Sequence, residues 1–440
     1  MEEGIIMKLF GTQTINDAST LVIGGVDVKT LQKQFGTPLY VMDETHIRNQ
    51  CRWFTQHFVS ERVRSEVIYA SKAFLTIAMC RLIEAEGLSL DVVSGGELYT
   101  AFKAGFPMER VYFHGNNKSA EELSMALKHN VGTIILDNEN ELDMLLKQIK
   151  PPQTINVLLR LNPGIEAHTH EYIATTKNDS KFGLSVFAEK TLDVIRRIDA
   201  SDGLCFRGFH SHIGSQIFEE ASFIEHARAI MKYVAEVKDA TGIEVEAINL
   251  GGGFGVRYTE EDRPIDNAEF LNHVLDTVFE EATRAGVTVP RVMIEPGRAI
   301  VANAGTTLYE VGSTKTTFSG RNYVFVDGSM ADHIRTSLYG AEYHGVLANR
   351  MDEKPLDSYT VTGKACESGD IIIRHLTLPT PEKGDLLAVF STGAYHYSMA
   401  SNYNRLQRPA VVFVKEGKAT CVVRRESYDD LIRNDVDVRL

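Results

Sequence analysis

A lysine in the segment YASKA has surroundings that suit imine chemistry. Lys72 follows a strand-like run, EVIYA, by two residues. Most lysines are solvated surface residues, and that interpretation applies to this one unless other chemical groups join it. The small and aromatic residues on either side would partly desolvate the amine, which favours its nucleophilic form. Lys72 is therefore a candidate for holding a carbonyl cofactor.

Consecutive glycines in the segment INLGGGFG follow a second strand-like run. Gly251, Gly252 and Gly253 would let backbone N–H groups approach a phosphate closely. The alternative is a flexible turn between a strand and a helix. The spacing does not match G-x-G-x-x-G, and the run lies too late in the chain for the first turn of a dinucleotide-binding fold.

The segment MIEPGRA places Glu295, Gly297 and Arg298 after a third run. A carboxylate there could simply form a structural salt bridge. Together with Lys72 and a phosphate cradle, however, Glu295 acquires a specific role. A carboxylate beside a pyridine nitrogen keeps that nitrogen protonated, which strengthens pyridoxal phosphate as an electron sink.

The segment GFHSHIGSQ contains His210, His212 and Ser215. Two histidines two residues apart on a strand face the same side, so a metal pair is one alternative. No further acid or histidine lies nearby at metal spacing, and we expect no metal. An imidazole against a cofactor ring, with Ser215 reaching a phosphate, agrees better with the other motifs. A buried core histidine is the simplest interpretation of His210.

Two further motifs lie near the C-terminus: GKACESGD, with Cys366 and Glu367, and FSTGAYHYSM, with Tyr395. Neighbouring acids disfavour a thiolate, so Cys366 suits proton donation better than nucleophilic attack. A buried structural cysteine is the alternative. Tyr395 could bond a phosphate, although tyrosine is common in β-rich domains.

These motifs follow strands that alternate with helices. The strand-like runs are EVIYA, LSLDVV, RVYFH, GTIILD, INVLLRLN, LCFRGFHSH, EAINL and PRVMIE. Eight such units over about 250 residues predict a closed (β/α)8 barrel, with an open doubly wound sheet as the fallback. Active sites of this barrel lie where its strands end, and the candidate residues lie at those ends.

The residues between the strands have helical patterns. The segment that starts at His46 is apolar at helical spacing, as is Phe223 to Val237. The segment SAEELSMALKH opens with a capping box at Ser119. We assign residues 46–303 to the barrel and 304–440 to a β-rich domain, against which the strands of residues 1–45 pack.

Composition narrows the class of partner. The net charge is -13 and basic residues form no long run, so a nucleic-acid or anionic-membrane surface is not expected. The N-terminus has no apolar signal core, and no segment approaches membrane-spanning length. The five cysteines are scattered, which argues against disulfides and zinc, and four of them are interpreted as core residues. We expect a cytoplasmic protein that acts on a small molecule.

The motifs together resemble the fold-type III pyridoxal-phosphate decarboxylases, and within them the diaminopimelate decarboxylase family. The matching segments are YASKA, LDVVSGGEL, FHGNNKS, FHSHIGSQ, LGGGFG, EPGR, CESGD and GAYHYSM, in the family's order. The resemblance runs almost end to end, so it is far more specific than any one motif. It implies release of carbon dioxide from meso-2,6-diaminopimelate to give L-lysine.

The resemblance also implies roles for individual residues. Lys72 would hold pyridoxal phosphate covalently, His212 would stack on its ring and Glu295 would meet its nitrogen. The phosphate would be bound by Ser215, the glycine run and Tyr395, with Gly297 and Arg298 also at the cofactor. The substrate would be gripped by Arg298, Arg335, Tyr339, Glu367 and Tyr395.

The family is dimeric, so the loop with Cys366 and Glu367 would complete the site of the partner subunit. Lys72 or Cys366 would return the proton to the product. An arginine pair suits a distal carboxylate, and Glu367 suits the distal ammonium of the substrate.

The chain departs from the family pattern in VDGSMADHIRTSLYG, at Ser329, His333 and Thr336, where glycine, asparagine and proline are more usual. Phe74 stands where many members carry asparagine. Two alternatives therefore stay open: decarboxylation of another basic amino acid such as ornithine, arginine or a D-lysine relative, and a non-catalytic paralogue that binds the cofactor. A metal-dependent barrel hydrolase is a third.

Overall fold

The structure is a computed structural model that describes residues 9–164 and 180–438. These residues form two compact units. The barrel unit comprises Gln50–Val256 and Arg263–Ala299, and the sheet unit comprises the chain up to Asn49, Arg257–Asp262 and the chain from Ile300 onward.

The described strands, in chain order, are β1 Thr14–Ile15, β2 Leu21–Ile23, β3 Val26–Asp27, β4 Leu39–Asp43, β5 Ser65–Ala70, β6 Ser89–Val92, β7 Val111–Phe113, β8 Thr133–Leu136, β9 Ile155–Asn162, β10 Leu184–Ser185, β11 Leu204–His210, β12 Ala247–Asn249, β13 Arg291–Ile294, β14 Gly305–Thr316, β15 Asn322–Val326, β16 Gly345–Leu347, β17 Asp357–Thr362, β18 Ile371–Leu378, β19 Leu386–Phe390, β20 Ala410–Lys415 and β21 Lys418–Val423.

The described α-helices are α1 Val28–Phe35, α2 Glu44–His57, α3 Ile77–Ala85, α4 Gly95–Ala104, α5 Ala120–Lys128, α6 Glu139–Gln148, α7 Glu189–Asp199, α8 Glu220–Thr241, α9 Glu269–Ala285, α10 Arg298–Val301, α11 Ile334–Tyr339 and α12 Tyr428–Ile432. None of the helices in the described ranges is long and apolar enough to cross a membrane.

The barrel unit is a closed ring of eight parallel strands, which confirms the predicted barrel. The order is β5, β6, β7, β8, β9, β11, β12 and β13, and β13 pairs with β5 through Ile294 and Val67 to close the ring. Each of the eight runs identified in the sequence coincides with one of these strands to within a few residues. Six buried side chains form a core cluster on these strands: Ile68, Tyr112, Ile135, Leu158, Ala247 and Met293.

Local signals fix where the barrel helices begin. The Ser119 hydroxyl accepts the N–H of Glu122, and the Glu122 carboxylate accepts the N–H of Ser119, as the sequence predicted. Ser94 caps α4 in the same way, by accepting the N–H of Glu97. Such caps satisfy amides that would otherwise lack partners, so each helix starts just after a strand end.

The sheet unit is built around an N-terminal strand. β4 lies between β14, with which it is antiparallel, and β20, with which it is parallel. The sheet also contains β18, the run IIIRHLTL, which the sequence analysis missed. The expectation that Cys421 is a core residue is wrong, because it is exposed on β21, the last strand of the sheet order. Cys51 and Cys80 are buried as expected.

Candidate active site

Lys72 lies in a single 3-10 turn, Ser71–Ala73, directly after β5. Ser71 and Ala73 are buried, but the side chain of Lys72 is exposed. The expected partial desolvation of this amine is therefore wrong. Lys72 is consequently accessible to an incoming molecule.

Glu295 follows β13 and is held by three neighbouring side chains. Asn249 Nδ2 donates to its Oε1 at 2.7 Å, and His114 Nε2 lies 2.8 Å from the same oxygen. His210 Nε2 lies 3.2 Å from Oε2. Burial lowers the pKa of His210 to about 3, so this imidazole is neutral and its Nε2–H can donate. Burial by itself would raise the pKa of Glu295, but its neighbours lower it well below the usual value. The buried carboxylate is thus kept ionised and fixed in orientation.

A metal site that joins His210 and His212 is one alternative from the sequence, but His212 is not in the described group of three potential metal ligands. The described side chains instead bring His114, His210 and Glu295 together. Two ligands of a tetrahedral zinc ion would lie about 3.3 Å apart, given bonds of about 2.0 Å. The 2.8 Å from His114 to Glu295 is shorter than this, and Asn249 donates to the same oxygen. The spacing indicates hydrogen bonding rather than a metal site.

The glycine run packs tightly against the segment that contains His212. Gly251 has a φ of +70°, and a Cβ there would lie 2.8 Å from His212 Nδ1. A Cβ on Gly252 would lie 2.4 Å from the backbone oxygen of Glu295. The N–H of Gly252 donates to His212 Nδ1 at 3.3 Å, which leaves the ring proton on Nε2. Close packing therefore demands these glycines, and the same turn sets the tautomer of His212.

Ser215 and Arg298 contact each other in the barrel unit. The guanidinium donates to Ser215 Oγ from Nε at 3.2 Å and from Nη2 at 2.9 Å. Because Ser215 accepts these bonds, its own hydroxyl proton can still be donated to an anion. Gly297 packs on β5, where an added Cβ would lie 2.9 Å from the Cβ of Ala70.

In the sheet unit, buried Arg335 lies near two tyrosine rings. Its Cζ lies 5.1 Å from the ring centre of Tyr339 and 5.3 Å from that of Tyr395. Tyr395 has a φ of +61°, a backbone conformation that non-glycine residues seldom adopt and that clusters at functional sites. The sequence named all three residues as substrate contacts, and the structure brings them together.

Cys366 and Glu367 lie on an exposed loop of the sheet unit. The N–H of Cys366 donates to Asn404 Oδ1 at 2.6 Å. Buried Asp370 accepts the N–H groups of Ala365 at 2.7 Å and Met330 at 2.6 Å. The loop is thus held at both ends while the side chains of Cys366 and Glu367, the two candidate site residues, reach solvent. The alternative of a buried structural cysteine is wrong for Cys366.

Comparison with known proteins identifies the chain. Residues 44–302 match the family model for the pyridoxal-dependent decarboxylase, pyridoxal binding domain. Diaminopimelate decarboxylase of Bacillus subtilis is 50% identical over 431 residues, which are 98% of each chain. The chain belongs to the diaminopimelate decarboxylase family. This confirms the resemblance seen in the motifs, and it makes pyridoxal phosphate the cofactor.

Solved structures of the family have the same fold. Diaminopimelate decarboxylase from M. jannaschii, in complex with L-lysine, is 34% identical with a TM-score of 0.90, and the match covers 97% of this chain and 98% of that one. Lysine/ornithine decarboxylase from Vibrio vulnificus, complexed with putrescine, is 22% identical with a TM-score of 0.72 over 88% of this chain and 97% of that one. At this identity, the second structure supports the fold alone.

The barrel unit has features that fit pyridoxal phosphate. An ionised, immobilised carboxylate suits a protonated ring nitrogen, an exposed lysine suits the carbonyl carbon, and a glycine turn beside a serine suits the phosphate. Lys72, His212, Ser215, Gly251–Gly253 and Glu295 would hold the group.

Sequence reasoning missed two buried residues of this site, Asn249 and Asp91. Asn249 lies on β12 immediately before the glycine run, so a polar side chain in a buried strand was a usable signal. Asp91 is 2% exposed, and burial raises its pKa to about 7 despite the opposing effect of His114. Asp91 lies within a strand, and the search for candidate residues at the ends of strands therefore did not find it.

Proposed function

We propose that this protein removes one carboxyl group from meso-2,6-diaminopimelate and releases L-lysine and carbon dioxide. The observation that carries the proposal is the environment of Arg335. Arg335 is 8% exposed, and its guanidinium forms no ion pair with a carboxylate of the described residues. A buried cation is costly unless an anion or hydrogen bonds compensate it, so the site suits a carboxylate on the substrate.

The distal half of diaminopimelate matches the sheet unit. Besides the reacting group, this substrate has a second carboxylate and a second ammonium. Arg335 would bind the distal carboxylate, with the rings of Tyr339 and Tyr395 beside the guanidinium. The exposed carboxylate of Glu367 would bind the distal ammonium. As substrates, ornithine and D-lysine have a single carboxylate, which is the one that reacts, so neither would leave a carboxylate for Arg335.

In the barrel unit, each side chain has a task that its contacts support. Pyridoxal phosphate, when bound, supplies the electron sink that accepts the electron pair left as carbon dioxide departs. Lys72 would present its exposed amine to the cofactor carbonyl. Glu295 would accept the ring N–H with a carboxylate already oriented by Asn249. His212 would lie against the ring, with its tautomer set by Gly252.

The proton that replaces carbon dioxide would come from Cys366 or Lys72. Cys366 Sγ–H is exposed, and the loop around it is anchored by Asn404 and Asp370. We propose that this loop serves the site of a partner subunit in a homodimer, in which each site combines residues of both chains. The described cysteines are free thiols, which suits action in the cytoplasm.

Carbon dioxide release from purified protein tests the proposal. We expect release from meso-diaminopimelate, with equimolar L-lysine, and none from ornithine, arginine or D-lysine. Activity on one of those amino acids without activity on diaminopimelate would show that the proposed substrate is wrong. A bound cofactor band without turnover would indicate a non-catalytic paralogue, and loss of activity with a chelator would indicate a metal hydrolase.

A further inference from the structure

Arg335 makes a hydrogen bond through one edge of its guanidinium. Its Nε donates to the hydroxyl oxygen of Tyr343 at 2.9 Å, and both side chains are buried. Within residues 9–164 and 180–438, the structure gives the guanidinium no other hydrogen bond. The guanidinium group has two edges that can take a carboxylate in bidentate fashion, namely Nε with one terminal nitrogen and the two terminal nitrogens together. Tyr343 occupies the first edge.

The ring of Tyr343 is itself fixed by three aromatic neighbours. Its centre lies 5.3 Å from that of Tyr258, 4.6 Å from His333 and 5.1 Å from His396, with interplanar angles of 83°, 75° and 85°. Edge-to-face contacts of this kind are favourable and directional. The hydroxyl of Tyr343 is therefore presented to Arg335 from a ring that has little freedom to move.

His333 contributes a neutral wall rather than a second positive charge. It is fully buried, and burial, followed by the nearby Arg335, lowers its pKa to about 3. Its Nε2 lies 3.3 Å from Thr336 Oγ1, and that hydroxyl donates its own proton to the backbone oxygen of Ile372 at 2.8 Å. His333 Nε2 must therefore be the donor, and the imidazole remains neutral beside Arg335 at the pH of an enzyme assay.

Two tyrosine rings also lie beside the guanidinium. Tyr339 lies one helical turn after Arg335 on α11, and Tyr395 lies on the other segment that contacts the cation. Because Tyr343 engages Nε, the edge formed by the two terminal nitrogens, Nη1 and Nη2, is left for a ligand.

We propose that Tyr343 is a positioning residue that makes Arg335 bind the distal carboxylate of the substrate through Nη1 and Nη2. This inference rests on the proposed function, because it assigns that carboxylate to Arg335. Tyr343 itself does not touch the substrate. Tyr343 determines which edge of the guanidinium contacts the substrate, and it fixes the orientation of that edge.

Substituting Tyr343→Phe removes the hydroxyl and keeps the ring with its aromatic contacts. We expect KM for diaminopimelate to rise about tenfold, because a hydrogen bond to a charged group is lost, with kcat changed less than about twofold. Inhibition by L-lysine, which keeps the distal carboxylate, should weaken by about the same factor. Inhibition by 1,5-diaminopentane, which has no carboxylate, should not change.

Tyr359→Phe is the matched control, since Tyr359 belongs to the same buried cluster as Tyr343, whereas the hydrogen bond from Arg335 goes to Tyr343. It should leave both inhibition constants unchanged. If Tyr343→Phe weakens inhibition by L-lysine and by 1,5-diaminopentane equally, the substitution has disturbed the whole site, and the inference is overturned. The cofactor absorption band should be the same in all variants. An unchanged band would mean that pyridoxal phosphate is still bound in the barrel unit.

Variants of Arg335 separate the inference from the proposed function. If Arg335→Met leaves L-lysine inhibition unchanged, the assignment of the carboxylate to Arg335 fails. If Arg335→Met weakens inhibition but Tyr343→Phe does not, the positioning role alone fails. In an Arg335→Lys background, adding Tyr343→Phe should have no further effect, because lysine lacks the Nε–H that Tyr343 accepts. A further loss there would also overturn the inference.

Discussion

Asn249 connects to Glu295 through a 2.7 Å hydrogen bond from Nδ2 to Oε1. The other end of the same amide, Oδ1, accepts the N–H of Gly251 at 2.9 Å. One side chain thus joins the carboxylate proposed for the cofactor nitrogen to the turn proposed for its phosphate. The separation of those two features is set by Asn249.

Substituting Asn249→Asp should therefore weaken cofactor binding. The aspartate would still accept from Gly251, but it would oppose Glu295 with a second acceptor of like charge. We expect the dissociation constant for pyridoxal phosphate to rise about tenfold or more, measured by titrating the apo-protein and following absorbance. Asn156→Asp is the control, since Asn156 makes similar bonds to Gly132 and Arg207 near the start of β9. Equal effects of the two substitutions would contradict the assignment.

Lys118 and Glu141 form a fully buried ion pair, with Lys118 Nζ 2.7 Å from Glu141 Oε1 and each side chain 1% exposed. Lys118→Met would leave the Glu141 carboxylate buried without its cation and should reduce the free energy of unfolding by about 3–5 kcal/mol. Combining it with Glu141→Gln should recover part of that loss. Trp53, the single tryptophan, lies in the barrel unit, so its fluorescence in urea reports the unfolding of that unit. A double variant no more stable than Lys118→Met would contradict this explanation.

Asp91 should make the barrel unit less stable as pH rises. Its folded pKa is raised from 3.8 to about 7, chiefly by burial, with His114, Glu295, Lys72 and Glu97 as charged neighbours. When the pKa of a carboxyl group is higher in the folded than in the unfolded protein, its contribution to stability is fully present below the unfolded-state pKa. That contribution is lost as the pH rises through the folded-state pKa. Between about pH 4 and pH 7, the wild type should lose up to about 4 kcal/mol relative to Asp91→Asn.

Urea unfolding of the wild type and of Asp91→Asn at several pH values measures this difference. Exposed Asp239 on α8 provides the control. The free energy of unfolding of Asp239→Asn should change with pH in the same way as that of the wild type. If Asp91→Asn also runs parallel to the wild type, the carboxyl titrates normally and its burial has no linked effect.

Mixing two inactive variants tests whether the active site is shared. Lys72→Ala removes the amine proposed to hold the cofactor, and Cys366→Ala removes the thiol of the exposed loop proposed to complete the site. If each site takes Lys72 from one chain and Cys366 from the other, half of randomly formed dimers are mixed and each has one complete site. Activity should then return to about a quarter of the wild-type value. Cys421→Ala, at an exposed thiol on β21, should be fully active alone. Absence of recovery on mixing would place both residues in one chain's site.

The elements of the barrel could be predicted because their signals are local. The run EVIYA became β5, and the Ser119 capping box formed as expected. Both depend on residues within one turn or one strand, where propensity and capping act. The run IIIRHLTL of β18 had an equally readable apolar pattern, so that omission was avoidable.

The contacts that tune the site could not be predicted in the same way. His114 and Glu295 are far apart in the chain and meet only because the ring of strands closes. The exposure of Lys72 depends on which side of a short turn faces the barrel, which its apolar neighbours obscured. Arg335 and Tyr343 are close in the sequence, yet the position of the Tyr343 ring depends on aromatic rings from distant segments.

The position of β4 has a consequence for synthesis on the ribosome. Residues Leu39–Asp43 leave the exit tunnel early, but their partners on either side, β14 and β20, begin only at Gly305 and Ala410. The barrel strands, in contrast, lie within Ser65–Ile294 and are complete well before the last part is translated. The barrel unit can therefore fold while the chain is still growing, whereas β4 waits for nearly the whole chain.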